Sequence, residues 1–139
     1  MCPNLRLVLP IATVFAGLTA GAQQRRLDLR PDMLVNEAEV GSPESMIDEQ
    51  DDIIGPPTGQ PESAWKIPSQ LWKTIFPCSV HFDLGSERNL SSLWLFDTHG
   101  HGELVISAGK PGEWREIATY DCGRYMQWAD IPLNVTTRY

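Results

Sequence analysis

Three cysteines in 139 residues are too few for a fold built on disulfides. Basic residues are equally sparse. The 11 Lys and Arg stand singly apart from Arg25-Arg26, so no basic face exists to neutralise a phosphate backbone, and a nucleic-acid partner is not expected. The chain also lacks a long hydrophobic run: its most apolar stretch, Leu7 to Leu18, is interrupted by Pro10, whereas a bilayer span needs about 20 apolar residues. No stretch has the period of an amphipathic helix. The length fits one modest domain and excludes a multidomain enzyme.

What is present is an uneven distribution of charge, and it divides the chain into three zones. Residues 1–26 carry three Arg and no acid, residues 27–62 carry ten acids and one Arg, and residues 63–139 carry eight acids and seven bases. The first zone reads as an export signal: Arg6, then the apolar stretch, then Ala20-Gly21-Ala22 as the small residues a signal peptidase accepts. Cleavage is expected after Ala22, which makes 1–22 a signal peptide and the chain a secreted protein, extracellular or periplasmic, with no membrane span after cleavage. Cys2 precedes the apolar run, where a lipid-modified cysteine does not lie. Cys78 and Cys122 then remain, either as a bridge that an oxidising compartment permits or as two separately buried thiols.

The second zone, 23–62, is an acidic, Pro/Gly-rich segment. Asp48, Glu49, Asp51 and Asp52 surround Gln50, and the following GPPTGQP resists ladder formation. Its apolar pairs Met46-Ile47 and Ile53-Ile54 point to a loop laid over a core. The third zone, 63–139, is rich in short alternating or apolar runs separated by turn residues: Ser79–Gly85, Leu90–Thr98, Glu103–Gly109, Trp114–Tyr120 and one or two more within 126–139. Such spacing predicts an all-β domain, an antiparallel β-sandwich or jelly roll. Alternation selects Trp65, Val80, Phe82, Leu84, Leu93, Leu95, Leu104, Ile106, Trp114, Ile117 and Trp128 as its core.

Few residues have the arrangement that catalysis requires. His99-Gly100-His101-Gly102 reads as a glycine-rich turn, since only His81 remains as a third imidazole for a metal. Asp97 to Glu103 fails as a calcium loop because histidines stand at positions that need oxygen donors. There is no GxSxG nucleophile elbow, and the carboxylates of 48–52 lie in a loop rather than on rigid elements. Asn89-Leu90-Ser91 and Asn134-Val135-Thr136 match the N-glycosylation acceptor pattern. Exposed aromatics beside polar groups are what a sugar ring needs. Trp72, in a loop with Gln70 and Lys73, and Tyr125, after Gly123-Arg124 in a turn, meet that description.

An ordered set of motifs adds to this reading: Met46-Ile47-Asp48-Glu49-Gln50, Ser63-Ala64-Trp65-Lys66, Phe76-Pro77 with VHFDLG, then NLSSLWLFDTHGHGEL, KPGEWREI and NVTTRY. Together these resemble a discoidin-type, galactose-binding-like domain, the family of the coagulation-factor C domains, over about residues 40–139. The resemblance implies a non-catalytic carbohydrate- or cell-surface-binding module appended to a larger secreted protein. It also implies calcium held by the loop containing Ile47, Asp48 and Asp51, whose oxygens are the hard donors calcium selects. Since the last motif falls in a strand that such domains continue, further C-terminal strands are expected. The alternative is a structural sandwich that serves as a spacer or as an accessory domain of a secreted hydrolase, with no ligand of its own.

Overall fold

The computed structural model describes residues 26–36, 41–47, 57, 59–61, 77–98 and 100–139. Half of these are in strands, and helix among them is limited to two 3-10 turns, Pro31–Met33 and Pro43–Met46. No helix of the described residues is long and apolar enough to cross a membrane. The strands are β1 (Leu34–Val35), β2 (His81–Phe82), β3 (Arg88–Asp97), β4 (Glu103–Lys110), β5 (Glu113–Asp121) and β6 (Gln127–Thr137). Every pairing is antiparallel: β1 with β2, β3 with β6, and β4 with β5. The β4–β5 hairpin is therefore inserted between two strands that pair with each other, and both of its strands approach β6.

Alternation along β6 sorts its side chains. Ala129, Ile131, Leu133, Val135 and Thr137 are buried or half-buried, while Asp130, Pro132, Asn134 and Thr136 are exposed. Direct partners across a ladder share a face, so Leu95 and Leu93, opposite Ala129 and Ile131, line the same inner side. On the hairpin, the pairs Leu104 with Tyr120 and Ile106 with Ala118 do the same. The β3–β6 and β4–β5 ladders each carry one bulge. In β6, Leu133 and Asn134 oppose Ser91, with Asn134 at a left-handed φ of 50° that asparagine tolerates; in β5, Ile117 is the extra residue.

The other face of the β3–β6 pair is not open either. Phe96 and Trp128 are cross-strand partners whose rings meet edge to face at 5.3 Å, and the Trp128 indole N–H donates to the Gly59 carbonyl at 3.0 Å. Part of the acidic segment thus lies against this aromatic face. Pro43, Ile47 and Pro57 are buried as well. The sequence pattern predicts no strand before residue 63, yet Leu34–Val35 is one: two residues are too short to show a period, and their pairing with Phe82 and His81 depends on a partner some 47 positions away.

Among the described residues, fewer side chains are fully buried than alternation predicts: the apolar ones are Ile47, Leu84, Ala108, Ala129 and Ile131 with the prolines above. Val80, Phe82, Leu93, Leu95, Leu104, Ile106, Ile117 and Trp128 are half-buried, and Trp65 lies outside the described residues. Trp114 departs from expectation: it is 42% exposed. Its ladder partner is Gly109, which offers no side chain to cover it. A glycine is required there because φ is +147° and a Cβ would run into the Glu113 carbonyl oxygen. Cys78 and Cys122 are separate, half-buried thiols with no bridge between them. Burial raises the pKa of both, and the charges of Asp97 and Asp121 add to the effect at Cys122. Both acceptor asparagines, Asn89 and Asn134, are exposed, and Asn89 sits opposite Thr136 of the second acceptor motif.

A charge pair closes the β2 end. Arg138 donates through Nε and Nη2 to Asp83 at 2.7 and 2.8 Å, the Gly85 N–H donates to the same carboxylate, and the Leu84 N–H reaches the Arg138 carbonyl. The Arg138 hydrogen bonds, followed by that from Gly85, bring the Asp83 pKa from 3.8 down to about 2. A carboxyl depressed in the folded state adds stability above its unfolded pKa, and this is lost as pH falls through the folded value. The Asp83 contribution is therefore full above about pH 4 and disappears between about pH 4 and pH 2. Urea midpoints measured from pH 6 to pH 2 should fall less steeply in Asp83→Asn than in the unaltered chain, and added salt should narrow the difference.

Candidate binding site at the Asp97 loops

Asp97 ends β3 on the inner side, since it follows Phe96 of the opposite face, and only 4% of it is exposed. A carboxylate is costly to bury unless donors surround it. Here Oδ1 accepts from the Gly100 N–H at 2.7 Å, and Oδ2 accepts from the Arg124 N–H at 2.9 Å and the Tyr120 hydroxyl at 3.1 Å. The Asp97 carbonyl also accepts from the Met126 N–H at 2.6 Å. One residue thereby joins three parts of the fold: the β3–β4 loop through Gly100, β5 through Tyr120, and the β5–β6 turn through Arg124 and Met126. The Cys122 N–H donates to the Gly102 carbonyl and links the same two loops again.

The turn so held presents Tyr125, which is 65% exposed, between the exposed residues Arg124 and Met126. Met126 has a φ of 56°, a strained value for a long side chain, and its bond to the Asp97 carbonyl compensates. Gly100 forms the floor beneath Tyr125. With φ at +68°, a Cβ there would stand 2.7 Å from the Tyr125 Cβ and 3.2 Å from its Cα and N. Gly100→Ala should therefore push the Tyr125 backbone aside and strain its own φ, costing about 1–3 kcal/mol. The measurement is a urea titration, paired with amide shifts of residues 123–126.

The arrangement is one for positioning. With three donors on the Asp97 oxygens, its carboxylate is engaged in holding loops. Burial, then the hydrogen bond to Asp97 and its negative charge, raise the Tyr120 pKa above the usual phenol value, so that its hydroxyl stays a donor at neutral pH. The result is an exposed ring with an adjacent cation on a backbone that has little freedom to move.

Comparison with family models, curated proteins and solved structures finds no match. The chemistry of the site thus rests on its own geometry. Of the ligand residues expected from sequence, Arg124 and Tyr125 occupy this turn, while Gln70, Trp72 and Lys73 lie outside the described residues. Of the expected calcium loop, Ile47 is buried at the end of the second 3-10 turn, where its N–H donates to the Glu44 carbonyl. Asp48 and Asp51 lie outside the described residues, and among those described no three His, Cys, Asp or Glu side chains gather to hold a metal. Sequence reasoning missed Asp97 and Gly100. The signal was available for Asp97, an acid at an inward position of an otherwise apolar strand. That a glycine-rich turn seats a neighbouring ring shows only when the two loops are brought together.

Proposed function

We propose that the chain is a non-catalytic carbohydrate- or cell-surface-binding module of a secreted protein, with β3–β6 and β4–β5 as the two layers of a small antiparallel sandwich of the galactose-binding-like kind. The observation that carries this reading is Tyr125: a ring exposed over 65% of its surface on a turn whose backbone is fixed by Asp97 and seated on Gly100. Apolar C–H faces of sugar rings stack on such an aromatic, and a turn already held in place loses little entropy on binding. Arg124, exposed beside it, supplies hydrogen-bond donors for ring hydroxyls.

A glycan array probed with the full chain tests the reading. Tyr125→Ala should lower retention at least fivefold on glycans that the unaltered chain holds. Because the ring is exposed, the substitution should change stability by no more than about 0.5 kcal/mol, a shift of at most about 3 °C in melting temperature. Retention unchanged by the substitution refutes the site.

A further inference from the structure

At the end of the β4–β5 hairpin away from Tyr125, the exposed ring of Trp114 meets two half-buried rings, His81 and Tyr139. The His81 and Trp114 ring centroids are 5.2 Å apart with their planes at 52°, and His81 and Tyr139 are 6.4 Å apart at 65°. Three rings from β2, β5 and the residues after β6 thus form an angled wall, with Trp114 as its most open member. The wall has a polar flank. The Arg138 guanidinium lies 5.0 Å from the Tyr139 ring centroid and is bonded through two nitrogens to Asp83.

We propose that His81, Trp114 and Tyr139, flanked by Asp83 and Arg138, form a second binding site whose ligand is a neutral pyranose ring. Two features identify the ligand class. The tilted rings offer an apolar wall to the C–H face of a sugar. The Asp83–Arg138 pair balances its own charge, and the guanidinium N–H groups not bonded to Asp83 are left to meet neighbouring hydroxyls. A balanced pair does not favour an anion or a cation. Trp114 is exposed because Gly109 opposite it must lack a side chain, so the backbone of the hairpin tip itself keeps the ring uncovered.

This site is independent of the one at Tyr125. Trp114 and Asp121 stand at the two ends of β5, about 23 Å apart at the rise of an extended strand. Two sites at that spacing on one rigid strand let a single chain engage two points of one polysaccharide, which strengthens retention beyond either site alone.

The test is native gel electrophoresis of the full chain through gels containing galactomannan, xyloglucan or mixed-linkage β-glucan, with polygalacturonate as the charged comparison. The unaltered chain should be retarded by at least one neutral polymer, and Trp114→Ala should weaken that retardation at least fivefold with its melting temperature kept within a few degrees. Trp114→Phe, which restores a ring, should recover part of it. Asp83→Asn should also weaken retardation, and Tyr125→Ala should lower it separately, so that the two sites fail independently. Retardation unchanged in Trp114→Ala, no retardation by any neutral polymer, or stronger retardation by polygalacturonate each overturns the proposal. In the first and third cases the Tyr125 reading is left to its own variant on the array. A loss in Trp114→Ala that Trp114→Phe does not recover, with both variants folded, overturns it as well.

Discussion

Asp97→Ala should be among the most damaging single changes in this chain, lowering stability by about 3–5 kcal/mol. The substitution removes the acceptor for the Gly100 N–H, the Arg124 N–H and the Tyr120 hydroxyl at once. A buried donor left without its partner costs about 1–3 kcal/mol, and all three bonds here are part-buried. Asp97→Asn should fall between, because the amide oxygen still accepts from one side while its NH2 group confronts a donor on the other. Small domains have only about 5–15 kcal/mol of stability to lose, so urea titrations should show Asp97→Ala folded over a narrow range of denaturant, if at all. If the Ala variant keeps the midpoint of the unaltered chain, the carboxylate does not hold the loops.

The second large effect is expected at Ile131. Its side chain is 5% exposed and lies opposite Leu93 on the inner side of the β3–β6 pair. Removing three carbons from such a position loses their burial and leaves a void, together about 2–5 kcal/mol. The same truncation at Leu95, which is half-buried, should cost clearly less, since water already reaches part of it. The two variants compared by urea denaturation decide whether the core is centred on β6, as burial indicates. Equal losses would place it more evenly across the sheet.

Much of the strand layout was legible in the sequence. The runs at 79–85, 90–98, 103–109 and 114–120 each contain or overlap a strand, and 126–139 holds one long strand rather than two. Period-two alternation is a local property, so it survives reading one residue at a time. Its limit appears at Trp114. Alternation places that ring with the core, but exposure depends on what stands across the ladder, and there Gly109 leaves it uncovered. The 3-10 turn at Pro43–Met46 and the two-residue β1 left no periodic trace because neither is long enough to have one.

By itself, the sequence determined the class of structure and the position of its turns. β-rich patterning, proline and glycine punctuation and the absence of an amphipathic helix depend on local backbone preference, and these are properties of each segment alone. The pattern of charge likewise separated an acidic segment from a nearly neutral strand region without reference to any contact. Tertiary structure decided which residues work together. Asp97, Gly100, Tyr120 and Arg124 become one unit only because the β4–β5 hairpin returns the chain to the end of β3. His81, Trp114 and Tyr139 meet from three separated stretches, and Gly59 reaches the indole of Trp128 across 69 positions. Such pairings are set by strand register and by the packing of one layer on another, and register is a relation between segments that no single segment records.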